Sequence, residues 1–132
     1  MDLRILEIAS NTENNKVIDN FTHKSKNKNP ICGDEMEISL IVENEKVIDM
    51  GYQCKSCVYC QASVSLLSQK IKNKKLPEIK NFVISCENIF ENTKTILEKN
   101  WKDFLEIFDK KNISRKECLL LPLRTVLKAL KK

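Results

Sequence analysis

Six cysteines are the side chains with the clearest chemical potential in this sequence of 132 residues. They lie at positions 32, 54, 57, 60, 86 and 118. In a protein of the reducing cytoplasm, cysteines indicate metal binding or thiol chemistry before they indicate disulfides. Only one histidine is present, so a site with several histidine ligands is excluded. We therefore looked first for thiols that the fold could bring together.

Three segments of the sequence could converge on one site. Residues 29–34, Asn-Pro-Ile-Cys-Gly-Asp, form a loop in which the glycine lets Cys32 and Asp34 project to the same side. Cys57 lies where a predicted hairpin meets a predicted helix, and Cys118 comes just before the last predicted helix. The positive end of a helix dipole favours the thiolate, which is the form that binds metal. Three thiolates and one carboxylate suit a tetrahedral metal such as zinc, or the four outer positions of a two-iron cluster.

The other three cysteines have different predicted roles. Cys60 and Cys86 lie on apolar faces of predicted helices, which indicates core packing, since free cysteine is among the most buried residue types. Cys54, Cys57 and Cys60 follow a Cys-x2-Cys-x2-Cys spacing that resembles the first three ligands of a bacterial ferredoxin site. A ferredoxin-like redox carrier using these three cysteines therefore stays open as an alternative.

Composition narrows the class of protein. With two glycines in the whole chain, neither a P-loop nor a dinucleotide-binding fingerprint can be present. The net charge of +5 comes from scattered lysines with only three arginines, which indicates a solvated surface and no nucleic-acid partner. No apolar run approaches the roughly 18 residues of a membrane span, and acidic residues interrupt the N-terminal segment where a signal peptide would be apolar. We expect one soluble cytoplasmic domain over residues 1–132.

Hydrophobic periodicity predicts an α+β fold, a small three-stranded antiparallel sheet packed against four to five helices. Alternating apolar residues over 36–42 predict a strand, residues 44 and 45 a tight turn, and residues 47–52 its hairpin partner. Residues 17–21 are the predicted edge strand, followed by a loop over 24–29. A short helix is predicted near residues 3–6, ended by the polar stretch 11–15.

Helical spacing of apolar residues predicts four helices in the second half of the chain. One stripe comprises Cys60, Val64, Leu67 and Ile71. A second stripe starts at Cys86 with Ser85 as its N-cap and continues through Phe90, Thr93 and Leu97. A third comprises Trp101, Phe104, Leu105 and Phe108, and a C-terminal one Leu119, Leu123, Val126 and Leu130, with Pro122 in its first turn.

The loop at 29–34, the hairpin, and then Cys57 followed by Ala62-Ser63-x-Ser65 resemble the U-type iron–sulfur cluster assembly scaffolds. That family includes IscU, SufU and the N-terminal domain of NifU. Residues 29–71 carry the resemblance, and Arg115-x-x-Cys118 looks like the family's third cysteine segment. About sixty residues separate Cys57 from Cys118. This interval resembles the SufU branch most.

The resemblance implies a function and a set of ligands. The ligands would be Cys32, Asp34, Cys57 and Cys118, holding either a [2Fe–2S] cluster or zinc. One of the three cysteines would accept sulfur from a cysteine desulfurase, and the assembled cluster would pass to client apoproteins. The alternative within the same resemblance is a SufU-like zinc-dependent sulfurtransferase that uses the same four residues. In either case the chain would be a scaffold or sulfur-transfer protein, a monomer or weak homodimer, with Arg115 and Arg124 as candidates for orienting the site.

Overall fold

The computed structural model describes residues 3–30, 33–89 and 99–131. The helices are α1 (Leu3–Ala9), α2 (Val58–Lys70), α3 (Leu76–Ile89) and α4 (Lys116–Leu130). The strands are β1 (His23–Lys28), β2 (Glu35–Glu43), β3 (Lys46–Lys55) and β4 (Lys74–Lys75). Two 3₁₀ segments, Lys99–Glu106 and Lys110–Arg115, precede α4.

The strands form one antiparallel sheet in the order β1-β2-β3-β4. The predicted α+β class is confirmed, and β4 is an addition to the three predicted strands. This strand has only two residues, which pair with Lys46 and Val47 at the start of β3. Such a short pairing leaves no period in the sequence, so only the folded chain shows it.

The predicted hairpin is confirmed. The core-facing residues Met36, Ile38 and Leu40 of β2 are almost completely buried. Asn44 and Glu45 both have positive φ angles, 52° and 62°. Two such residues form the type I′ turn whose twist matches that of the flanking strands.

The predicted edge strand was placed wrongly. β1 occupies His23–Lys28, where a loop was predicted, and residues 17–21 are not part of a strand. The sequence of β1 is polar and rich in lysine, which suits a sheet edge because charged side chains discourage pairing with other molecules. Contacts with α4 stabilise it: Ser25 Oγ donates to the Thr125 carbonyl (2.7 Å), and Lys128 Nζ donates to the Lys26 carbonyl (2.7 Å). Tertiary pairing, and not intrinsic propensity, makes this segment a strand.

Helix α2 lies at the centre of the fold, against α1, α4 and β3. Its predicted apolar stripe is confirmed, since Cys60, Val64, Leu67 and Ile71 at the helix C-cap are fully buried. The opposite faces are buried as well, because small side chains let the neighbouring elements approach closely. These small buried residues are Ala62, Ser63, Ser65 and Ser68.

The second predicted helix begins earlier than expected. Helix α3 starts at Leu76, so the predicted N-cap Ser85 lies inside it, and Pro77 takes the position near a helix start that its missing N–H allows. Cys86 is fully buried in the core, as predicted. The remaining predicted residues of that stripe, Phe90, Thr93 and Leu97, lie outside the described residues.

The last two predicted helices differ in detail from the structure. The segment around Trp101 and Phe104 is a 3₁₀ helix, and both rings are buried against Phe82. Leu105 is 43% exposed, so the predicted stripe loses one member. Helix α4 begins at Lys116, which moves Pro122 from the predicted first turn into the second. None of the described helices has the length and hydropathy needed to cross a bilayer.

The connection between α1 and β1 lies against β3. The Asn14 carbonyl accepts from the Tyr52 amide (3.1 Å), and Asn14 Nδ2 donates to Ser68 Oγ (3.1 Å). Gly51 permits this approach, because a Cβ there would lie 2.5 Å from the Lys16 carbonyl oxygen and 2.9 Å from Ile18 Cγ1.

We therefore predict that Gly51→Ala lowers the free energy of unfolding by about 1–3 kcal/mol, because the added methyl overpacks against backbone. Urea unfolding followed by circular dichroism measures the change. Gln53→Ala, an exposed position on the same strand, is the control and should change stability by less than about 0.5 kcal/mol. Equal stability of Gly51→Ala and the unmodified chain would show that the connection does not need the close approach.

Candidate metal centre

The loop before β2 is closed by two backbone hydrogen bonds. The Asn29 amide donates to the Asp34 carbonyl, and the Gly33 amide donates to the Asn29 carbonyl, both at 2.8 Å. Gly33 has a φ of +79°, a conformation that L side chains rarely adopt, so the predicted need for glycine is confirmed. This loop delivers Asp34 to the start of β2.

The Asp34 carboxylate is buried, with 6% of the residue exposed. Its Oδ1 atom accepts a hydrogen bond from the backbone amide of Cys57 (3.2 Å). Its Oδ2 atom is buried and has no hydrogen-bond partner among the described residues. Because a buried carboxylate oxygen without a partner is costly, the arrangement favours a ligand at Oδ2.

Cys57 is the N-cap residue of α2, with φ −71° and ψ 167°. Its own side chain makes no capping hydrogen bond. Asp34 accepts from the N-cap amide instead, so the carboxylate lies at the positive end of the helix dipole and the Cys57 thiol stays available. Cys57 is partly exposed, so this thiol is reachable from solvent.

Cys118 lies in the first turn of α4, slightly inside the helix and not ahead of it as predicted. Helix α4 is joined to α2 at the next residue, where Ser63 Oγ donates to the Leu119 carbonyl (2.7 Å). On the other side, Arg124 of α4 makes a two-bond contact with Glu87 of α3 (2.7 and 3.0 Å) and a short contact with Glu117. Hydrogen bonds that Arg124 donates to Glu87 raise the pKa of Arg124, so the guanidinium stays charged in this ion pair.

Asp34, Cys57 and Cys118 each offer one ligand atom, and these three atoms all lie within 4.8 Å of one another. Tetrahedral zinc with Zn–S bonds of about 2.3 Å places its ligand atoms roughly 4 Å apart, so these residues fit such a metal after a small contraction. Two sulfurs and a carboxylate oxygen are also donors that iron accepts. The fourth predicted ligand, Cys32, lies outside the described residues.

Cys54 and Cys60 are neighbours of this group and not members of it among the described residues. Burial raises the pKa of both thiols, and the nearby Asp34 and Cys57 charges add to the rise. Cys54, Cys57 and Cys60 do not form a group of converging ligand atoms in the described part of the chain. This geometry therefore does not favour the ferredoxin-like alternative built on these three cysteines.

Arg115 is the predicted orienting residue that stays near the site. Its guanidinium carbon lies 5.3 Å from the centroid of the Tyr59 ring, which belongs to the first turn of α2. A cation over an aromatic face contributes about 0.5–1 kcal/mol at an exposed position. The contact links the start of α4 to the start of α2 beside Cys57.

Comparison with known proteins agrees with this geometry. The family model of the NifU-like N terminal domain matches residues 2–103. The chain belongs to the NifU-like N-terminal domain family. The iron–sulfur cluster assembly scaffold protein IscU of Thermotoga maritima is 31% identical over 129 residues, which cover 97% of this chain and 90% of that protein. This alignment extends beyond the family match to most of the chain, so the recognised resemblance is confirmed.

Two crystal structures share the fold of this NifU-like chain. The first is a candidate iron–sulfur cluster assembly scaffold for the SUF system of Fervidobacterium islandicum AW-1, with a TM-score of 0.91 and 26% identity. The alignment covers 99% of this chain and 96% of that chain. The second is the N-terminal part of a nitrogen-fixing NifU-like protein of Brucella abortus, with a TM-score of 0.90 and 20% identity. The alignment covers 98% of this chain and 91% of that chain, and at this identity the similarity supports a shared fold only.

Ser63 is the positioning residue that the sequence analysis did not assign. It was noted only as part of the Ala62-Ser63-x-Ser65 signature, although it joins α2 to α4 beside Cys118. The signal available in the sequence was a pair of serines two positions apart in a largely buried helix. A buried hydroxyl requires a hydrogen-bond partner, so each serine pointed to a contact with another element. Ser65 Oγ has a different partner, the Asn11 carbonyl (2.7 Å), on the α1 side of the helix.

These two serines form a matched pair for a test. Ser63→Ala and Ser65→Ala each leave a carbonyl without its hydroxyl donor, so each should lose about 1–3 kcal/mol of unfolding free energy. Of the two variants, only Ser63→Ala should also weaken zinc binding. The Ser63 bond reaches the helix that carries Cys118, whereas the Ser65 bond does not. Chelator competition measures zinc affinity, and urea unfolding measures stability. Equal zinc affinity in the two variants would separate Ser63 from the site.

Proposed function

We propose that this chain is an iron–sulfur cluster assembly scaffold that builds a [2Fe–2S] cluster on Cys32, Asp34, Cys57 and Cys118. The observation that carries the proposal is the convergence of two thiols with a carboxylate oxygen of Asp34, whose Oδ2 atom is buried without a partner among the described residues. The cluster is cargo: sulfur comes from a cysteine desulfurase, and the finished cluster goes to client apoproteins. The Thermotoga maritima relative, named as a scaffold of this kind, supports the same function.

The mixed ligand set suits a cluster that must leave. Thiolates bind iron strongly because both partners are soft, whereas a carboxylate oxygen is a harder and weaker ligand. An incoming thiol can therefore displace Asp34 more easily than it can displace a cysteine. A permanent electron-transfer site would favour four cysteines.

Exposure decides where sulfur can enter. Of the two described ligand thiols, Cys57 is partly exposed and Cys118 is only 4% exposed. A persulfide on another protein must reach the accepting sulfur directly, since transfer is an attack of one sulfur on another. We therefore assign the acceptor role to Cys57 in preference to Cys118, and we place the desulfurase contact on the side of the site where Cys57 opens to solvent.

A SufU-like zinc-dependent sulfurtransferase is the second candidate. The observation in its favour is the donor set, since two thiols and a carboxylate within 4.8 Å of one another suit tetrahedral zinc. The same four residues would hold zinc, which would keep the cysteines deprotonated and protected. Metal analysis of anaerobically purified protein distinguishes the two candidates.

Asp34→Asn tests the carboxylate directly. The variant keeps an oxygen that accepts from the Cys57 amide and replaces the unpartnered Oδ2 with an NH₂ group that cannot bind metal. We expect an assembled [2Fe–2S] cluster to transfer more slowly to an apoprotein. Zinc affinity should fall by more than the roughly tenfold that loss of an outer-shell partner causes.

Asp109→Asn is the control, because the Asp109 carboxylate also accepts from a backbone amide, that of Lys111, at the start of a different helical segment. It should leave both properties unchanged. If Asp34→Asn behaves like Asp109→Asn in cluster transfer and in chelator competition, Asp34 is not a ligand.

Sulfur acceptance is tested with a cysteine desulfurase and cysteine. We expect mass spectrometry of samples quenched at early times to find one added sulfur on Cys57, and Cys57→Ser to abolish the addition. Cys86→Ser is the control, since this fully buried thiol should never receive sulfur. Added sulfur on Cys118 in the unmodified chain, with Cys57 unmodified, would contradict the assignment.

A further inference from the structure

Helix α2 begins with two cysteines, of which the proposed site uses only one. Cys57 is the N-cap, and Cys60 is the third residue of the helix. The pair forms a Cys-x-x-Cys sequence at a helix N-terminus, an arrangement found in thiol–disulfide redox pairs. Nothing in the ligand group requires Cys60, because it is not among the residues that converge with Asp34 and Cys118.

The geometry of a helix start allows these two sulfurs to meet. Side chains three positions apart on a helix have Cβ atoms about 5–6 Å apart. The N-cap residue and the third residue of a helix are the two positions whose side chains can meet across the first turn, as the capping box shows. A disulfide needs a Cβ separation of roughly 3.5–4.5 Å. The non-helical backbone of Cys57, with ψ 167°, is the part that can make this small movement.

Cys54 does not have the same access to Cys57. The chain from Cys54 to Cys57 includes the end of β3 and continues without a helical turn. Three extended residues span about 10 Å between Cα atoms. Cysteines more than about 7 Å apart cannot be bridged without movement of the backbone. The redox partner of Cys57 on this segment is therefore Cys60.

The two thiols differ in exposure, which gives them different roles. Cys57 is partly exposed, whereas Cys60 is completely buried. Burial also raises the pKa of the Cys60 thiol, so this thiol is protonated at rest and must give up its proton as its sulfur attacks. Oxidants in solvent therefore do not reach Cys60. The Cys60 thiol can react only with a neighbouring group, such as Cys57 and any sulfur that Cys57 carries.

Cluster assembly creates a need for electrons at this position. Sulfur from a desulfurase arrives as sulfane sulfur in a persulfide, whereas a cluster contains sulfide, so each sulfur must gain two electrons. A thiol that attacks the inner sulfur of a persulfide supplies these electrons and becomes half of a disulfide.

We propose that Cys60 releases the sulfur carried by Cys57 as sulfide, an inference that rests on the proposed role of Cys57 as sulfur acceptor. The Cys60 sulfur attacks the Cys57 Sγ atom, a Cys57–Cys60 disulfide forms, and the bond between Sγ and the terminal sulfur breaks. The terminal sulfur leaves as hydrosulfide and takes the proton of the Cys60 thiol. The two thiol sulfurs are oxidised and the sulfane sulfur is reduced by two electrons. A dithiol reductant from solution then returns both cysteines to thiols.

The test begins with sulfur placed on Cys57 chemically, so that it does not depend on a desulfurase. The full-length chain is stripped of metal with a chelator, treated anaerobically with inorganic polysulfide and separated from the excess. We expect close to one sulfide released per loaded chain without added reductant. The tryptic peptide of residues 56–70, which contains Cys57 and Cys60 as its only cysteines, should lose two hydrogens.

Variants identify the thiol responsible. Cys60→Ser should keep its persulfide and release at least tenfold less sulfide. Cys86→Ser, which alters an equally buried thiol on α3, should behave like the unmodified chain. Equal sulfide release by Cys60→Ser, no release by the unmodified chain, or a disulfide from Cys57 to a different cysteine would each overturn the inference.

A second measurement needs neither a variant nor a persulfide. The unmodified chain is equilibrated in buffers of reduced and oxidised dithiothreitol, and the same peptide should convert reversibly to the disulfide form. Absence of that disulfide under all buffers overturns the inference. If the disulfide forms and polysulfide-loaded chain releases sulfide, but a desulfurase delivers no sulfur to Cys57, the proposed function fails and the redox pair stands.

Discussion

The contact between α2 and α4 is the interaction on which the site depends. Ser63 Oγ donates to the Leu119 carbonyl in the core, and this bond sets the distance between a helix that begins at Cys57 and a helix that carries Cys118. Small side chains on α2 make the close approach possible. A larger residue at position 63 would separate the helices, and the two sulfurs would separate with them.

Asp34 has two functions that a single carboxylate can combine. One oxygen accepts from the N-cap amide of α2 and thereby fixes the loop to the helix, and the other oxygen remains buried without a described partner. The loop hydrogen bonds of Asn29 and Gly33 hold the carboxylate in this position. A metal bound at that oxygen would offset the cost of leaving it unpaired, and metal binding would then be coupled to the stability of the site.

Charged residues of α4 add further contacts near this site. Arg124 joins Glu87 of α3 to Glu117, the residue before Cys118, so the first turn of α4 is also tied to α3. Arg115 over Tyr59 adds a weaker link at the exposed edge. The thiols then differ by environment: Cys57 opens to solvent, whereas Cys60 and Cys86 are sealed in the core. This difference in exposure is the basis on which we propose sulfur uptake at Cys57.

The sequence alone determined the class of fold and the hairpin, and it predicted the three described residues that converge in the structure. Alternation over 36–42, the helical stripe of Cys60, Val64 and Leu67, and the glycine before Asp34 are local patterns, each read from neighbouring residues. The strand at 23–28 and the early start of α3 were missed because long-range pairing with β2 and packing of the core decide them. The meeting of Asp34, Cys57 and Cys118 was expected from residue type and resemblance, but the bond that brings Cys118 there was not, because Ser63 and Leu119 are 56 residues apart in the chain. Only the tertiary structure brings such distant residues into contact.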